Sequence, residues 1–183
     1  MPVPAPNLVA RDFAAPAPER RWLGDSTDVA TWAGWLSVAV LPDAHARRVA
    51  GGAMAEHLRA ERARDALALA VRGRRPAAGL VHHTDRGCHY TAGSDRAARA
   101  ADGITASMSR AGDCYDNAMA GSFCATRKAA LVDTRPWPTR AAARVAVFAW
   151  LEVFYHRQRV HSALGYQRPV AFAQALAREA LVA

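Results

Sequence analysis

The stretch that decides the fold runs from residue 21 to residue 54 and reads RWLGDSTDVATWAGWLSVAVLPDAHARRVAGGAM. Three short apolar runs lie within it, RWLGDSTDV, GWLSVAVL and RRVAGGAM, and turn-forming pairs occur at Ala33-Gly34 and Pro42-Asp43. Apolar runs of this length between turn signals are typical of β-strands. We therefore predict three consecutive strands, antiparallel and joined by tight connections.

The pattern beyond this stretch alternates between helices and strands. Ala63, Ala66, Leu67 and Ala70 recur at helical spacing and predict a helix at residues 59–72. The rest of the chain predicts strands at 79–83 and 104–107 and helices at 94–101, 113–131 and 139–158. Pattern alone indicates an α/β fold with one sheet. The order of elements is that of the ribonuclease-H-like arrangement, a mixed five-stranded sheet flanked by helices.

Two of these helices carry start signals and one carries an apolar stripe. Asp113 is placed to cap the helix at 113–131, and Asp116 adds a carboxylate near its positive end. Pro138 and Thr139 mark the beginning of the last helix. Its expected core-facing stripe is formed by Val147, Trp150, Leu151 and Phe154.

Charge and composition narrow the classes of function. Lys and Arg number 24 against 16 Asp and Glu, a net charge of +8. Such a surface attracts polyanions, so nucleic acid is one reading and an ordinary basic protein is the other. The sequence has no run of about 18 apolar residues and no apolar leader, so we expect a cytoplasmic protein without a membrane span. Cys88, Cys114 and Cys124 form an odd set without a C-x-x-C pair and suggest reduced thiols.

Two aspartates stand at candidate strand positions. Asp25 lies in the first predicted strand, and Asp85 follows the fourth in the sequence HHTDRG. Aspartate is depleted from strands unless a site requires it, and divalent ions in phosphoryl transfer are held by acidic side chains. Each aspartate also has an ordinary explanation, Asp25 as a turn residue in GDSTD and Asp85 as a turn starter. Neither decides a function alone.

Four motifs in order carry a wider resemblance. They read RWLGDSTDVATWAGW, HHTDRGCHYT, SMSRAGDCYDNAMAGSF and FYHRQRVHSALGYQRPVAF. Across residues 21–173 the chain resembles the integrase core of insertion-sequence transposases, the DDE superfamily of retroviral-integrase type. The resemblance implies metal-dependent DNA strand cleavage and transfer. It assigns Asp25 and Asp85 as metal ligands for Mg²⁺ or Mn²⁺.

The family's third metal ligand is a glutamate that follows the second aspartate after thirty-five residues, and here that position is Gly121. The flanking DNAMA and SF match without a gap, so the catalytic Glu position is vacant and we expect weakened metal binding. Asp116 lies about 140° away around an α-helix and cannot replace it. Asn117 lies one turn before Gly121 on the same face and could bind a metal-bound water, but it carries no charge.

The resemblance also indicates DNA contacts. Arg86 and His83 flank Asp85, where they either orient the site or meet phosphate, although a histidine at a strand end is often structural. Lys128, two helical turns after Gly121, either meets a DNA phosphate or is a solvated lysine. The last motif offers a basic and aromatic cluster for DNA backbone and bases, against the alternative of a basic helix end. Its members are Arg157, Arg159 and His161, with Tyr155 and Tyr166 beside them.

Together these features predict residues 1–20 as a proline-rich arm or linker, 21–135 as the integrase catalytic core and 136–183 as a helical extension of that core. Gly51, Gly52 and Asp28 fall where bulkier residues are expected and predict a thinner core. We expect DNA as the partner, with a homo-oligomer or a mixed oligomer with an intact transposase also open. The leading hypothesis is a catalytically impaired transposase core. The alternatives are a non-catalytic DNA-binding module and a decayed transposase remnant.

Overall fold

A five-stranded sheet forms the centre of the computed structural model, which describes residues 4–56, 60–86, 99–100, 102–132 and 136–182. The strands are β1 (Arg21–Thr31), β2 (Gly34–Pro42), β3 (Val49–Ala55), β4 (Val81–Thr84) and β5 (Thr105–Met108). Their order across the sheet is β3-β2-β1-β4-β5. β1 to β3 pair antiparallel, whereas β4 pairs parallel with both β1 and β5. The predicted mixed sheet and its three antiparallel strands are confirmed.

Four α-helices are described around this sheet. They are α1 (Ala60–Arg74), α2 (Ala118–Arg127), α3 (Arg140–Ala149) and α4 (Pro169–Val182). A 3₁₀ turn at Cys114–Asn117 leads into α2, and another occupies Ser162–Leu164. The helix predicted at 94–101 lies almost wholly outside the described residues. Among those that are described, no helix is both long and apolar enough to cross a membrane.

Asp113 and Thr139 cap the helical segments that follow them, as predicted. The side chain of Asp113 accepts a hydrogen bond from the backbone of Tyr115, and that of Thr139 accepts one from Ala142. The helix predicted at 113–131 is present as helical turns from Cys114 to Val132, but these turns are of three kinds. The first turn is 3₁₀, and wide π-helical turns at Lys128–Val132 and Trp150–Tyr155 extend α2 and α3.

The π-helical turn after α3 changes which side chain faces the core. Tyr155 is buried and contacts Phe123 and Trp150, whereas Phe154 is partly exposed. A π-helical turn adds one residue to the helical repeat. Tyr155 therefore takes the inward position that α-helical spacing gave to Phe154, while Val147 and Trp150 are buried as predicted.

Each face of the sheet has its own apolar core. One joins β1 and β2 to α2 and α3, and its largest members are Leu36, Phe123, Trp137, Trp150 and Tyr155. The other packs α1 on the opposite face and includes Trp22, Leu41, Leu67, Leu80 and Ile104. β1 is the central strand of the sheet and β4 lies beside it. Asp25 is in β1, and Asp85 directly follows β4.

Gly51 in β3 is a point of close approach to α1, so the prediction that it thins the core there was wrong, whereas Gly52 lines a cavity of about 240 Å³. A Cβ atom on Gly51 would lie 2.6 Å from the Cβ of Ala70 and 2.7 Å from the carbonyl oxygen of Ala66. On Gly52 it would lie 3.1 Å from the carbonyl oxygen of Ala39. Only glycine lets α1 pack this closely on β3.

The proline-rich segment before β1 has no helix or strand over its described residues, 4–20, and lies against the core. Ala5 and Val9 are buried. The side-chain amide of Asn7 donates to a carboxylate oxygen of Asp116 at 2.8 Å. This contact ties the segment to the turn that leads into α2.

Candidate active site

The register of β1 and β4 brings the two predicted catalytic aspartates together. Gly24 pairs with Thr84 in this parallel ladder, and Asp25 and Asp85 are the next residue of each strand. Neighbouring strands lie about 4.8 Å apart, so the two residues are close neighbours at the same sheet edge. Both line one pocket of about 440 Å³, and Gly121 lies on its wall.

Asp25 is the more enclosed of the two. Burial raises the pKa of its carboxyl, and the negative charge of Asp85 raises it further. A hydrogen bond from the Cys124 thiol and the positive charge of Arg127 lower the pKa. Asp25 is therefore held in a partly desolvated setting in which a neighbouring positive charge stabilises its ionised form.

Gly121 is exposed in the second turn of α2 and its surroundings are open. A Cβ atom built on it would have no described heavy atom within 4 Å, apart from the backbone of its own helix. A longer side chain can therefore enter the pocket without displacing described neighbours. Glycine inside a helix costs about 1 kcal/mol relative to alanine, so the residue gives no local benefit.

Asn117 connects α2 to the aspartate-bearing strand. Its side-chain amide donates to the carbonyl oxygen of Gly24 at 3.1 Å, one residue before Asp25. The amide oxygen of Asn117 is buried and has no hydrogen-bond partner among the described residues. Because Asn117 lines the pocket, this oxygen is available to a water or ligand there.

Asp116 lies in the 3₁₀ turn before α2 and faces away from the pocket, as predicted. Arg110 donates to its carboxylate from Nε and Nη2, each at 2.9 Å, and from the backbone at the same distance. These hydrogen bonds lower the pKa of Asp116 well below its usual range. Because this carboxylate is hydrogen-bonded to Arg110 and Asn7, Asp116 does not serve as the third metal ligand.

The two residues that flank Asp85 have different surroundings. Arg86 is exposed at the pocket, and its Nε donates to the carbonyl oxygen of Ser109 at 2.8 Å. His83 is fully buried, with hydrogen bonds to the hydroxyls of Ser107 and Ser109. Because it is buried, His83 fits a structural role better than contact with phosphate.

The other predicted DNA contacts lie away from this pocket. Lys128 and Arg157 are exposed, while Arg159 and His161 are half-buried and line a second cavity beside α2. Tyr155 is buried in the apolar core, so its predicted stacking on bases was wrong. Tyr166 is exposed and free of that restriction.

Arg127 is a site residue that the sequence reasoning missed. It is only 1% exposed, and the nearby charges of Asp25 and Asp28 act on it. Its position was readable from helical spacing, since Ala120, Phe123 and Cys124 form the buried stripe of α2 and position 127 continues that stripe. An arginine in such a stripe is a signal in itself, because arginine is rarely buried without a partner.

Comparisons with known proteins agree with this geometry. The integrase core domain family matches residues 15–114, and a second description of the integrase core domain matches residues 102–169. An uncharacterized 31 kDa protein of insertion element IS600 from Shigella sonnei is 42% identical over 92% of this chain and 62% of its own length. The transposase for insertion sequence element IS904 from Lactococcus lactis is 38% identical over 91% of this chain and 66% of its own.

A third relative and two solved structures extend the comparison. The transposase InsF for insertion sequence IS3A from Escherichia coli is 36% identical over 91% of this chain and 58% of its own length. The HTLV-2 integrase catalytic core domain in complex with magnesium has a TM-score of 0.59 at 15% identity, covering 86% of this chain and 97% of that chain. A simian T-cell lymphotropic virus intasome chain has a TM-score of 0.66 at 14% identity, covering 88% of this chain and 55% of that chain. These two likenesses establish the ribonuclease-H-like fold of retroviral integrase cores.

Proposed function

The chain belongs to the integrase-core family of insertion-sequence transposases, and from this we propose a DDE-type core whose metal-dependent DNA cleavage and strand transfer is impaired at position 121. One observation carries the proposal. Asp25 and Asp85 lie side by side in a pocket where Gly121 offers no third carboxylate. The chain spans 58 to 66% of the length of the curated relatives it matches, so the proposal concerns the core alone.

The free donor atoms in the pocket fit one magnesium ion and do not fit two, because the third carboxylate of the lining, Asp113, is paired with Arg11 and Arg110. Magnesium is commonly held by one or two carboxylates together with waters and substrate phosphates, and Asp25 and Asp85 supply that set. The unpartnered amide oxygen of Asn117 can accept a hydrogen bond from a metal-bound water. Within the described parts of the chain, no three His, Cys, Asp or Glu residues are grouped to hold a metal. Mg²⁺ or Mn²⁺, when bound, supplies activation of the attacking hydroxyl and stabilisation of the leaving oxygen.

The neighbouring residues of this chain position and weaken that site. Asn117 fixes the start of α2 against β1 and so sets the distance between position 121 and Asp25. Arg86, anchored to Ser109, is placed to meet a DNA phosphate at the mouth of the pocket. Arg127 places a positive charge near Asp25 and opposes a cation there. Weak cation binding, and hence weak catalysis, is the expected result.

A strand-transfer assay in Mn²⁺ tests the proposal. We expect the parent chain to give product near background, because a single weakly held ion stabilises only part of the transition-state charge. Gly121→Glu adds a carboxylate where the structure leaves open space, and it should gain activity. Short oligonucleotide duplexes at low salt let charge alone bring substrate to the core.

Matched variants make the result specific. Gly121→Gln has nearly the same shape without the charge and should stay at background. Asp85→Asn in the Gly121→Glu chain should abolish the gained activity. Robust activity of the parent chain would refute the impairment, and an inactive Gly121→Glu chain that binds duplex normally would count against the assignment of the site.

A non-catalytic DNA-binding module is the second candidate, favoured by a net charge of +8 that does not depend on position 121. Such a module would compete for DNA, or enter a mixed oligomer with an intact transposase. The dimeric and trimeric forms of the HTLV-2 integrase catalytic core domain support self-association as a property of similar folds. Salt-dependent duplex binding that is indifferent to Asp85→Asn is the expected signature. A decayed remnant would instead fail to show a cooperative melt.

A further inference from the structure

A second cavity, of about 340 Å³, lies on the other side of α2 from the aspartate pocket. Asn117 and Gly121 line the aspartate pocket, whereas Ala118, Ser122 and Thr126 line the second cavity. We call it the basic cavity. Its remaining wall is formed by Phe13, Pro42, Arg47, Met119, Phe123, Tyr155, Arg159 and His161.

The basic cavity concentrates unsatisfied nitrogen atoms. Nε of Arg47, Nε of Arg159 and Nε2 of His161 are all buried, and none has a hydrogen-bond partner among the described residues. None of the side chains that line the cavity is acidic. Buried polar groups are nearly always paired, so an acceptor bound in this cavity would gain hydrogen bonds that these three nitrogens do not make to the described residues.

The chain holds these groups in place from several directions. Tyr155 is buried against Phe123 and makes an edge contact with the ring of His161, with centroids 5.1 Å apart. The backbone of His161 donates to the carbonyl oxygen of Gln167 at 3.0 Å. Arg47 closes the turn after β2, where its backbone donates to the carbonyl oxygen of Asp43 at 3.0 Å. The cavity is therefore built from fixed elements.

The backbone of Arg47 adds a further sign of constraint. Its φ angle is +58°, in the left-handed region that side chains other than glycine rarely adopt. The charges also act on one another, because burial and the positive charges of Arg159 and Arg47 lower the pKa of His161 to about 4.

We propose that the basic cavity binds a phosphate group through Arg47, Arg159 and His161. Phosphate oxygens accept several charge-assisted hydrogen bonds at once, and guanidinium groups match their geometry. The hydroxyl of Ser122 lines the same wall and can donate as well. We assign the phosphate to the backbone of a DNA strand; that assignment, unlike the anion site itself, rests on the proposed function.

The position of the cavity suits such an anchor. Helix α2 separates it from the aspartate pocket, and a helix with its side chains is about 10 to 12 Å across. Phosphates along one strand recur every 3.4 Å of axial rise, so this separation is spanned by about three nucleotides. A strand whose reacting phosphate lies at Asp25 and Asp85 can thus have a second phosphate held in the basic cavity.

Arg47→Gly tests the anion site without threatening the fold, because glycine adopts a positive φ angle without strain. Arg75→Gly is the matched control: Arg75 also has a positive φ angle, is exposed and lies outside the cavity wall. Inorganic phosphate is titrated at constant ionic strength, with chloride as the balancing anion, while the unfolding temperature is followed. We expect phosphate to raise the unfolding temperature of the parent and of Arg75→Gly, and to bind Arg47→Gly about tenfold or more weakly. Equal responses of the two variants would overturn the proposal.

A second pair of variants repeats the test at another wall. Arg159→Gln should lose the phosphate response, and Arg168→Gln, exposed and outside the cavity, should keep it. The phosphate titration needs neither metal nor strand transfer. A failed titration therefore leaves the catalytic proposal standing, and a failed strand-transfer test leaves the phosphate site standing.

Binding of a labelled duplex distinguishes the source of the phosphate. If the DNA backbone occupies the cavity, Arg47→Gly should weaken duplex binding about tenfold beyond Arg75→Gly, and inorganic phosphate should compete. Both variants lose one positive charge, so long-range attraction falls equally in the two. Unequal phosphate titrations together with equal duplex affinities would overturn the assignment to DNA and leave a site for free phosphate.

Discussion

Arg127→Met should stabilise the protein, although it removes a charge near the site. The guanidinium of Arg127 is 1% exposed, and none of its three nitrogens has a hydrogen-bond partner among the described residues. Burial lowers the pKa of Arg127, whereas the charges of Asp25 and Asp28 raise it. The desolvation cost of this side chain is therefore only partly offset.

The size of the effect follows from replacing a buried cation with an apolar chain of similar length. A buried donor without a hydrogen-bond partner costs about 1 to 3 kcal/mol, and more when it is charged, so removing this cation should return about 1 to 4 kcal/mol, reduced by the lost attraction to Asp25 and Asp28. Three unpaired nitrogens put Arg127 in the upper part of that range, about 2 to 4 kcal/mol. For a domain of this size 1 kcal/mol corresponds to about 2 to 4 °C, so the unfolding temperature should rise by about 4 to 16 °C.

Thermal unfolding followed by circular dichroism measures this change, and urea titration checks that the transition stays two-state. Arg144→Met makes the same exchange at an exposed position of α3 and should shift the transition little. A lower unfolding temperature for Arg127→Met than for Arg144→Met would refute the reasoning. It would mean that Asp25 and Asp28 stabilise the guanidinium by more than its burial costs.

Three further outcomes are expected. Gly121→Glu should gain about 0.5 kcal/mol from helix propensity, as should Gly73→Glu in α1, where a Cβ atom also meets no described neighbour. In thermal scans only Gly121→Glu should gain more with Mg²⁺, up to about 2.7 kcal/mol at a hundredfold excess over Kd. Asn117→Ala leaves the carbonyl oxygen of Gly24 without its donor and should cost about 1 to 2 kcal/mol in urea unfolding. Burial and the charge of Arg99 lower the pKa of His82 to about 3, below its unfolded value, so the unfolded chain binds the proton first. His82 alone should therefore lower stability by about 3 kcal/mol between pH 7 and pH 4, and His82→Gln should remove about that much of the total loss in pH-dependent unfolding.

The sheet was predictable because its signals are local. Turn pairs at Ala33-Gly34 and Pro42-Asp43 bound β2 on both sides, and the apolar runs between them have strand length. The π-helical turns were not predictable, since helical spacing alone carries no mark of one added residue. In the π-helical register Tyr155 packs against Phe123 and Trp150. Such tertiary contacts override the helical spacing of apolar residues in the sequence.

The candidate site was predictable only as far as linear motifs reach. Asp25, Asp85 and Gly121 come from motif register, and the structure lines one pocket with all three. Arg47 lies in a turn without a motif, and it joins Arg159 only through the fold. Gly51 misled for the same reason, because a missing side chain and a required close approach of α1 look alike in sequence.

Helix α2 lies between the aspartate pocket and the basic cavity, and only the aspartate pocket depends on position 121. On one side, Asp25 faces the charge of Arg127, which opposes a cation in the pocket that Asp25 shares with Asp85. On the other side, no acidic residue lines the basic cavity. Restoring a carboxylate at position 121 and removing Arg127 both make the first pocket more negative, and neither changes the lining of the second. Cation affinity should therefore respond to these two changes while phosphate binding stays constant, so the proposed metal site and the proposed phosphate site should be separable by mutation.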